Sequence, residues 1–127
     1  MTLTPGAYLK LRRCAACMSV ADVAMRLSTG PRIAEHVRAN QLELIEADIQ
    51  PATFSTIIVL RHVFSFNLEI LAILAEIHLG SKRYGPQLCR ICACSEWDAC
   101  RHSTGTCSWV APDLCSSCAG LVEARAA

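Results

Sequence analysis

The run C-R-I-C-A-C-S-E-W-D-A-C-R-H-S-T-G-T-C-S-W-V-A-P-D-L-C-S-S-C, Cys89 to Cys118, holds seven of the nine cysteines in a chain of 127 residues. A segment this short and this poor in aliphatic side chains cannot fold on apolar burial alone, so it needs a staple. Two C-x2-C pairs, Cys89/Cys92 and Cys115/Cys118, frame it. Their separation is close to the spacing of about 15–20 residues read as a structural zinc site. Each pair can curl so that both sulfurs converge on one ion, and two pairs together complete a tetrahedral thiolate cage. A disulfide framework is the competing account. It requires an oxidising compartment and usually an even count, whereas nine is odd and the start M-T-L-T-P-G-A-Y-L-K-L-R-R does not read as an export signal. The expectation is a metal module in a cytoplasmic protein.

Cys94, Cys100 and Cys107 lie inside the frame, and several ligand sets stay open. Two tetrahedral zinc ions need eight donor positions. One bridging thiolate lowers that to seven cysteines, while His102 as an eighth donor would let Cys94, Cys100, Cys107 and His102 bind a second ion alone. A four-iron cluster on four thiolates, with three cysteines left free, is the third arrangement, although the pattern as a whole matches none of the usual iron–sulfur spacings, and the C-A-C at Cys92 and Cys94 makes bridging or shared sites plausible. The cofactor expected is therefore zinc, one or two ions, with an iron–sulfur cluster as the alternative. Trp97 and Trp109, the large apolar groups of the module, are expected to cover the metal core.

Upstream the composition changes. Residues 1–88 hold nearly all the aliphatics and only Cys14 and Cys17, with 9 Lys/Arg against 7 Asp/Glu, and residues 89–127 carry 3 against 4. A net charge of +1 leaves no strong electrostatic footprint for nucleic acid. The apolar stretch from Phe54 to Leu79 is interrupted by Arg61, His62, Glu69 and Glu76, so a membrane span is not expected. The boundaries read as a helical domain at 1–80, a linker at 81–88, the Cys-rich module at 89–118 and a tail at 119–127.

The first domain reads as mainly α, with five helices. Pro5-Gly6 precede the first, about Ala7 to Cys17. Ser19 with Asp22 forms a capping-box start for a second, about Val20 to Leu27. Pro31 at a first helical position opens a third that runs to about Ala47. Pro51 leads a fourth, about Ala52 to Phe64, and Ser65 or Asn67 caps a fifth, about Leu68 to Leu79, ending at Gly80. Ile57, Ile58, Leu60 and Val63, then Leu68, Leu71, Ala72, Leu74, Ala75 and Leu79, have the spacing of a buried helical face. Cys14 and Cys17, three residues apart on the first helix, are expected to face the core as small apolar groups.

The stretch L-R-R-C-A-A-C-M-S-V-A-D-V-A-M-R-L, residues 11–27, resembles the opening two helices of Cro and phage-repressor type helix-turn-helix domains. Residues 44–71, L-I-E-A-D-I-Q-P-A-T-F-S-T-I-I-V-L-R-H-V-F-S-F-N-L-E-I-L, are similar to the closing pattern of that family. The resemblance covers about Tyr8 to Leu79. It implies a five-helix, helix-turn-helix-like bundle and a DNA-associated or transcription-regulatory role. Under it, Arg32, His36 and Arg38, with Glu35, would face base edges, and Lys10, Arg12 and Arg13 would lie on phosphates. The chain departs from the family at S-T-G-P-R-I-A-E-H-V-R-A-N-Q-L-E-L, residues 28–44, where a compact recognition helix is normal, and Glu35, Glu43 and Glu46 would oppose phosphates there. The Cys-rich run is also similar to a cysteine module of small prophage-type bacterial proteins, which implies a bacterial, prophage-linked origin.

Three functional classes follow. The first is a transcription-regulatory or DNA-associated protein with a structural zinc module. The second is an accessory or inhibitor protein that docks on a protein partner, and the third is an iron–sulfur redox-sensing regulator. Enzyme activity is not expected, because no phosphate-binding glycine loop or nucleophile elbow is present and Glu96 and Asp98 read as a solvated acidic pair. Phe54, Phe64 and Phe66 offer apolar surface for a homodimer.

Overall fold

The computed structural model describes residues 3–27, 33–102 and 105–120; of His102 only the backbone is described. It is mainly α-helical, with a small Cys-rich region at the C-terminal side. Five helices come first: α1 Pro5–Ala15, α2 Val20–Arg26, α3 Glu35–Glu46, α4 Phe54–Arg61 and α5 Leu68–His78. Two short antiparallel hairpins follow, β1 Arg101–His102 with β2 Gly105–Thr106, and β3 Trp109–Ala111 with β4 Leu114–Cys115.

Side-chain caps set most of the helix starts. Thr4 accepts from the Ala7 N–H at 3.1 Å, with Pro5 in the first turn of α1. Ser19 and Asp22 form the reciprocal capping box of α2. Thr53 caps α4 and Asn67 caps α5, each accepting a backbone N–H that has no partner within its helix. α5 stops where Gly80, at φ 110°, turns the chain and lets the Ser81 N–H reach the Glu76 carbonyl at 3.0 Å. α3 differs from expectation. It begins at Glu35 with no side-chain cap, later than the start expected at Pro31, which lies outside the described residues.

Tyr8, Leu9, Val23, Leu42, Ile45, Leu60, Phe64, Ile70, Leu71 and Leu74 form the helical core. The buried positions of α3 (Arg38, Leu42, Ile45 and Glu46) fall on one helical stripe. α4 buries only Leu60, so Ile57 and Ile58 are half-buried, and Ala72 of α5 and Leu79 just past its end face solvent. The N-terminus of α1 sits directly on the C-terminal end of α3. The Gly6 N–H donates to Asp48 Oδ1 at 2.9 Å and the Thr4 hydroxyl donates to Asp48 Oδ2, so one carboxylate faces the positive end of α1. Gly6 permits this approach, since a Cβ there would lie 2.3 Å from the Ile45 carbonyl oxygen.

The Cys-rich region is not a free appendage. Ala93, at φ 59° in the turn between Cys92 and Cys94, is buried in the helical core, and Leu88 packs against the same cluster. Arg12 braces the junction, donating from Nε to the Ser65 carbonyl at 3.0 Å and from Nη1 to the Cys92 carbonyl at 3.1 Å. Tyr8 lies beneath, its hydroxyl accepting the Asn67 N–H at 2.9 Å.

Candidate metal centre

Local backbone chemistry shapes both cysteine pairs. In the first, the Ala93 N–H donates to the Cys89 carbonyl at 2.8 Å and the Cys89 N–H to the Cys94 carbonyl at 3.1 Å, curling the chain into a knuckle. The left-handed backbone of Ala93 makes that turn and swings Cys94 back toward the sulfurs. In the second, Cys115 ends β4 and the helical residues 116–120 bring Cys118 round one turn later. The two halves are tied by the Arg90 N–H on the Asp113 carbonyl at 2.8 Å, and by an exposed Arg90–Asp113 ion pair.

All nine cysteines lie among the described residues and all are free thiols, so no disulfide framework is present. Two groups of four bring their sulfurs within 4.8 Å of one another: Cys89, Cys92, Cys115 and Cys118, and Cys92, Cys94, Cys100 and Cys115. Cys92 and Cys100 are 3.7 Å apart, Cys92 and Cys115 3.8 Å, and Cys94 and Cys107 3.8 Å. A tetrahedron with metal–sulfur bonds of about 2.3 Å has edges of about 3.8 Å, so the separations of Cys92 from Cys100 and Cys115 match edges of a tetrahedral thiolate cage. Cys107 belongs to neither group of four, although its sulfur accepts the Cys100 N–H at 3.2 Å.

Burial raises the thiols of Cys92, Cys94 and Cys107, and lifts Cys118 to about 12. Cys115 moves the other way. Burial pushes it up as well, but the hydrogen bonds it accepts from the Cys118 backbone N–H and from the thiols of Cys118, Cys94 and Cys89 outweigh that and bring it to about 6. Loading a divalent ion must expel protons from the thiols that bind it.

The tryptophans divide. Trp109 packs against the cysteine cluster, whereas Trp97 is 68 % exposed and does not cover it. Asp98 is not a solvated acid: its Oδ1 accepts the Ser95 N–H at 2.8 Å and the Ser95 hydroxyl, pinning the loop after Cys94. The side chain of His102, the alternative eighth donor, lies outside the described residues. Cys14 and Cys17 are exposed rather than in the core, because α1 ends at Ala15 and buries Tyr8, Leu9 and Arg13 instead, leaving Cys17 in a left-handed turn at φ 58°.

The residues expected to meet DNA are dispersed. Arg13 is buried in a two-pronged pair with Glu46, at 2.7 and 2.8 Å, and also donates to the Met18 carbonyl at 2.9 Å. Arg38 is buried and donates to the Leu27 carbonyl at the end of α2, where helix carbonyls lack partners. Arg12 serves the junction described above. Neither Arg13 nor Arg38 is open to a phosphate or a base edge, since apolar packing around both helices closes over them. Lys10, Glu35 and His36 are exposed, and Arg32 lies outside the described residues. No signal in the sequence separated structural from solvent-facing arginines, because their partners are distant in the chain.

No protein family, curated protein or solved structure matches this chain. None of its described helices is long and apolar enough to cross a membrane.

Proposed function

We propose that this chain is a small non-enzymatic regulatory protein in which a structural zinc module braces a helical domain that docks on a protein partner. The observation that carries the zinc reading is the convergence of four cysteine sulfurs in each group, with Cys92 at 3.7 Å from Cys100 and 3.8 Å from Cys115, near the edge of a zinc tetrathiolate. A four-iron cluster would place iron and sulfide between the cysteines and hold their sulfurs further apart, so the redox-sensor reading has less support. Zinc supplies no redox chemistry, and a closed cage of thiolates leaves no open position for substrate, which supports a structural ion.

For the partner, the balance tips to protein because three of the six candidate DNA-contacting cations are occupied internally. Meanwhile Ile49, Phe54 and Leu79 are all more than 70 % exposed, and Leu79 lines a groove of about 350 Å³ together with Leu9, Ile45, Ala52, Ile57 and Leu71. Exposed apolar side chains around a groove are what a protein-docking site offers. A DNA-associated role is the second reading, favoured by the order of the capped helices α1 and α2 before α3 and by exposed Lys10 and His36. Photo-crosslinking groups placed singly at Phe54, Lys10 and His36 in producing cells separate the two. A discrete protein adduct from Phe54 alone supports docking. DNA adducts from Lys10 or His36, with binding in vitro that weakens steeply between 50 and 200 mM salt, overturn it in favour of DNA.

A further inference from the structure

We infer that the module holds two metal ions joined through the thiolates of Cys92 and Cys115. The inference rests on the structural-metal reading and extends it to the number of ions and the way they share ligands. Both groups of four converging cysteines contain Cys92 and Cys115, whose sulfurs lie 3.8 Å apart. That distance is the edge of a tetrahedron, so one tetrahedron built on Cys89 and Cys118 and another built on Cys94 and Cys100 meet along that common edge. Eight donor positions are then filled by six cysteines. Two divalent ions displace six thiol protons and leave a centre of net charge −2, the same charge as a single ion on four thiolates. The second ion therefore adds no further negative charge to a buried site.

Sequence spacing favours the sharing. Cys92 and Cys94 are separated by one residue, Ala93, which is itself locked into the helical core, so the two sulfurs cannot travel to distant ions. Cys92 faces Cys115 and Cys100, at 3.8 and 3.7 Å, in the second group and converges with Cys89 and Cys118 in the first, so two ions filling both groups share it. Cys107 stands outside both tetrahedra. Its sulfur touches Cys94 and takes the Cys100 N–H, so it supports two terminal ligands of the second ion rather than binding it.

The test is made on the full chain loaded with zinc, and in parallel with cadmium-113. Metal and protein are quantified together, and X-ray absorption is measured at the zinc edge. Expected are two ions per chain, a sulfur shell at about 2.3 Å, and a metal–metal vector at roughly 2.7–3 Å, the shorter value for two such tetrahedra sharing an unchanged 3.8 Å edge and the longer as that edge contracts. The cadmium form should give two resonances coupled to each other through the shared sulfurs. One ion per chain, or two ions without a metal–metal vector or coupling, overturns the sharing and leaves the structural-metal reading intact. No bound metal, or iron with sulfide, overturns both. Cys107→Ser should keep both ions, and its loss of one would overturn the six-thiolate set in favour of a seven-cysteine centre with a single bridge.

Discussion

Replacing Gly6 with alanine isolates the contact that sets α1 on α3. Helix propensity alone favours the change by about 1 kcal/mol, since Gly6 lies inside a helix. The structure predicts the opposite sign. A Cβ at Gly6 would sit 2.3 Å from the Ile45 carbonyl, 2.6 Å from the Glu46 carbonyl and 2.8 Å from Asp48 Oδ1. Two of these three atoms are backbone, so the helices must part by about 1 Å to restore ordinary contact, given carbon contacts of about 3.5 Å. That movement stretches the Gly6 N–H bond to the Asp48 carboxylate beyond hydrogen-bonding range, a loss of about 1.5–3 kcal/mol for a charged acceptor. It also disturbs the packing of Leu9 on Ile45, adding about 1–3 kcal/mol. Net of propensity, Gly6→Ala should cost about 3 kcal/mol and lower the melting temperature of the metal-loaded protein by about 10 °C in a chain of this size. Gly120→Ala, where an added Cβ meets nothing within 4 Å, is the control and should change little. A Gly6→Ala protein as stable as the parent in urea and thermal melts would refute the close approach and the placing of α1 with it.

Three further outcomes follow from the core and the metal centre. Glu46→Ala leaves Arg13 buried and unpaired, and should cost about 3–5 kcal/mol in urea unfolding, whereas the apolar double variant Arg13→Met/Glu46→Leu should lose much less. In a tyrosinate absorbance titration, burial should hold Tyr8 back to about 12, and Tyr8→Phe should remove that late step. The folded-state pKa of Tyr8 is raised above the usual 10.0, so its contribution to stability is complete below about pH 10 and is lost as pH rises toward 12; a flat stability profile over that window would contradict its burial. Chelation, or acidification that returns protons to the thiolates, should release the metal and change the Trp109 near-UV signal while most far-UV helicity persists, because α1 to α5 have their own apolar core.

What could be read along the chain was what its neighbours along the chain decide. Ser19 with Asp22, Asn67 and Gly80 announced helix ends because caps act over three or four residues, and they stand where expected. The Cys-rich module was legible for the same reason, since a C-x2-C pair makes its knuckle from its own backbone. Tertiary structure decided the rest. Arg13 meets Glu46 33 residues on, and Arg12 reaches Cys92 80 residues on, so no local pattern could mark either arginine as structural. The exposure of Trp97 against the packing of Trp109, the approach that only Gly6 allows, and the pairing of Cys92 with Cys115 all depend on which surfaces meet after folding. A sequence specifies ligands and caps through short-range geometry, and three-dimensional packing alone determines which charges are closed in and which sulfurs are shared.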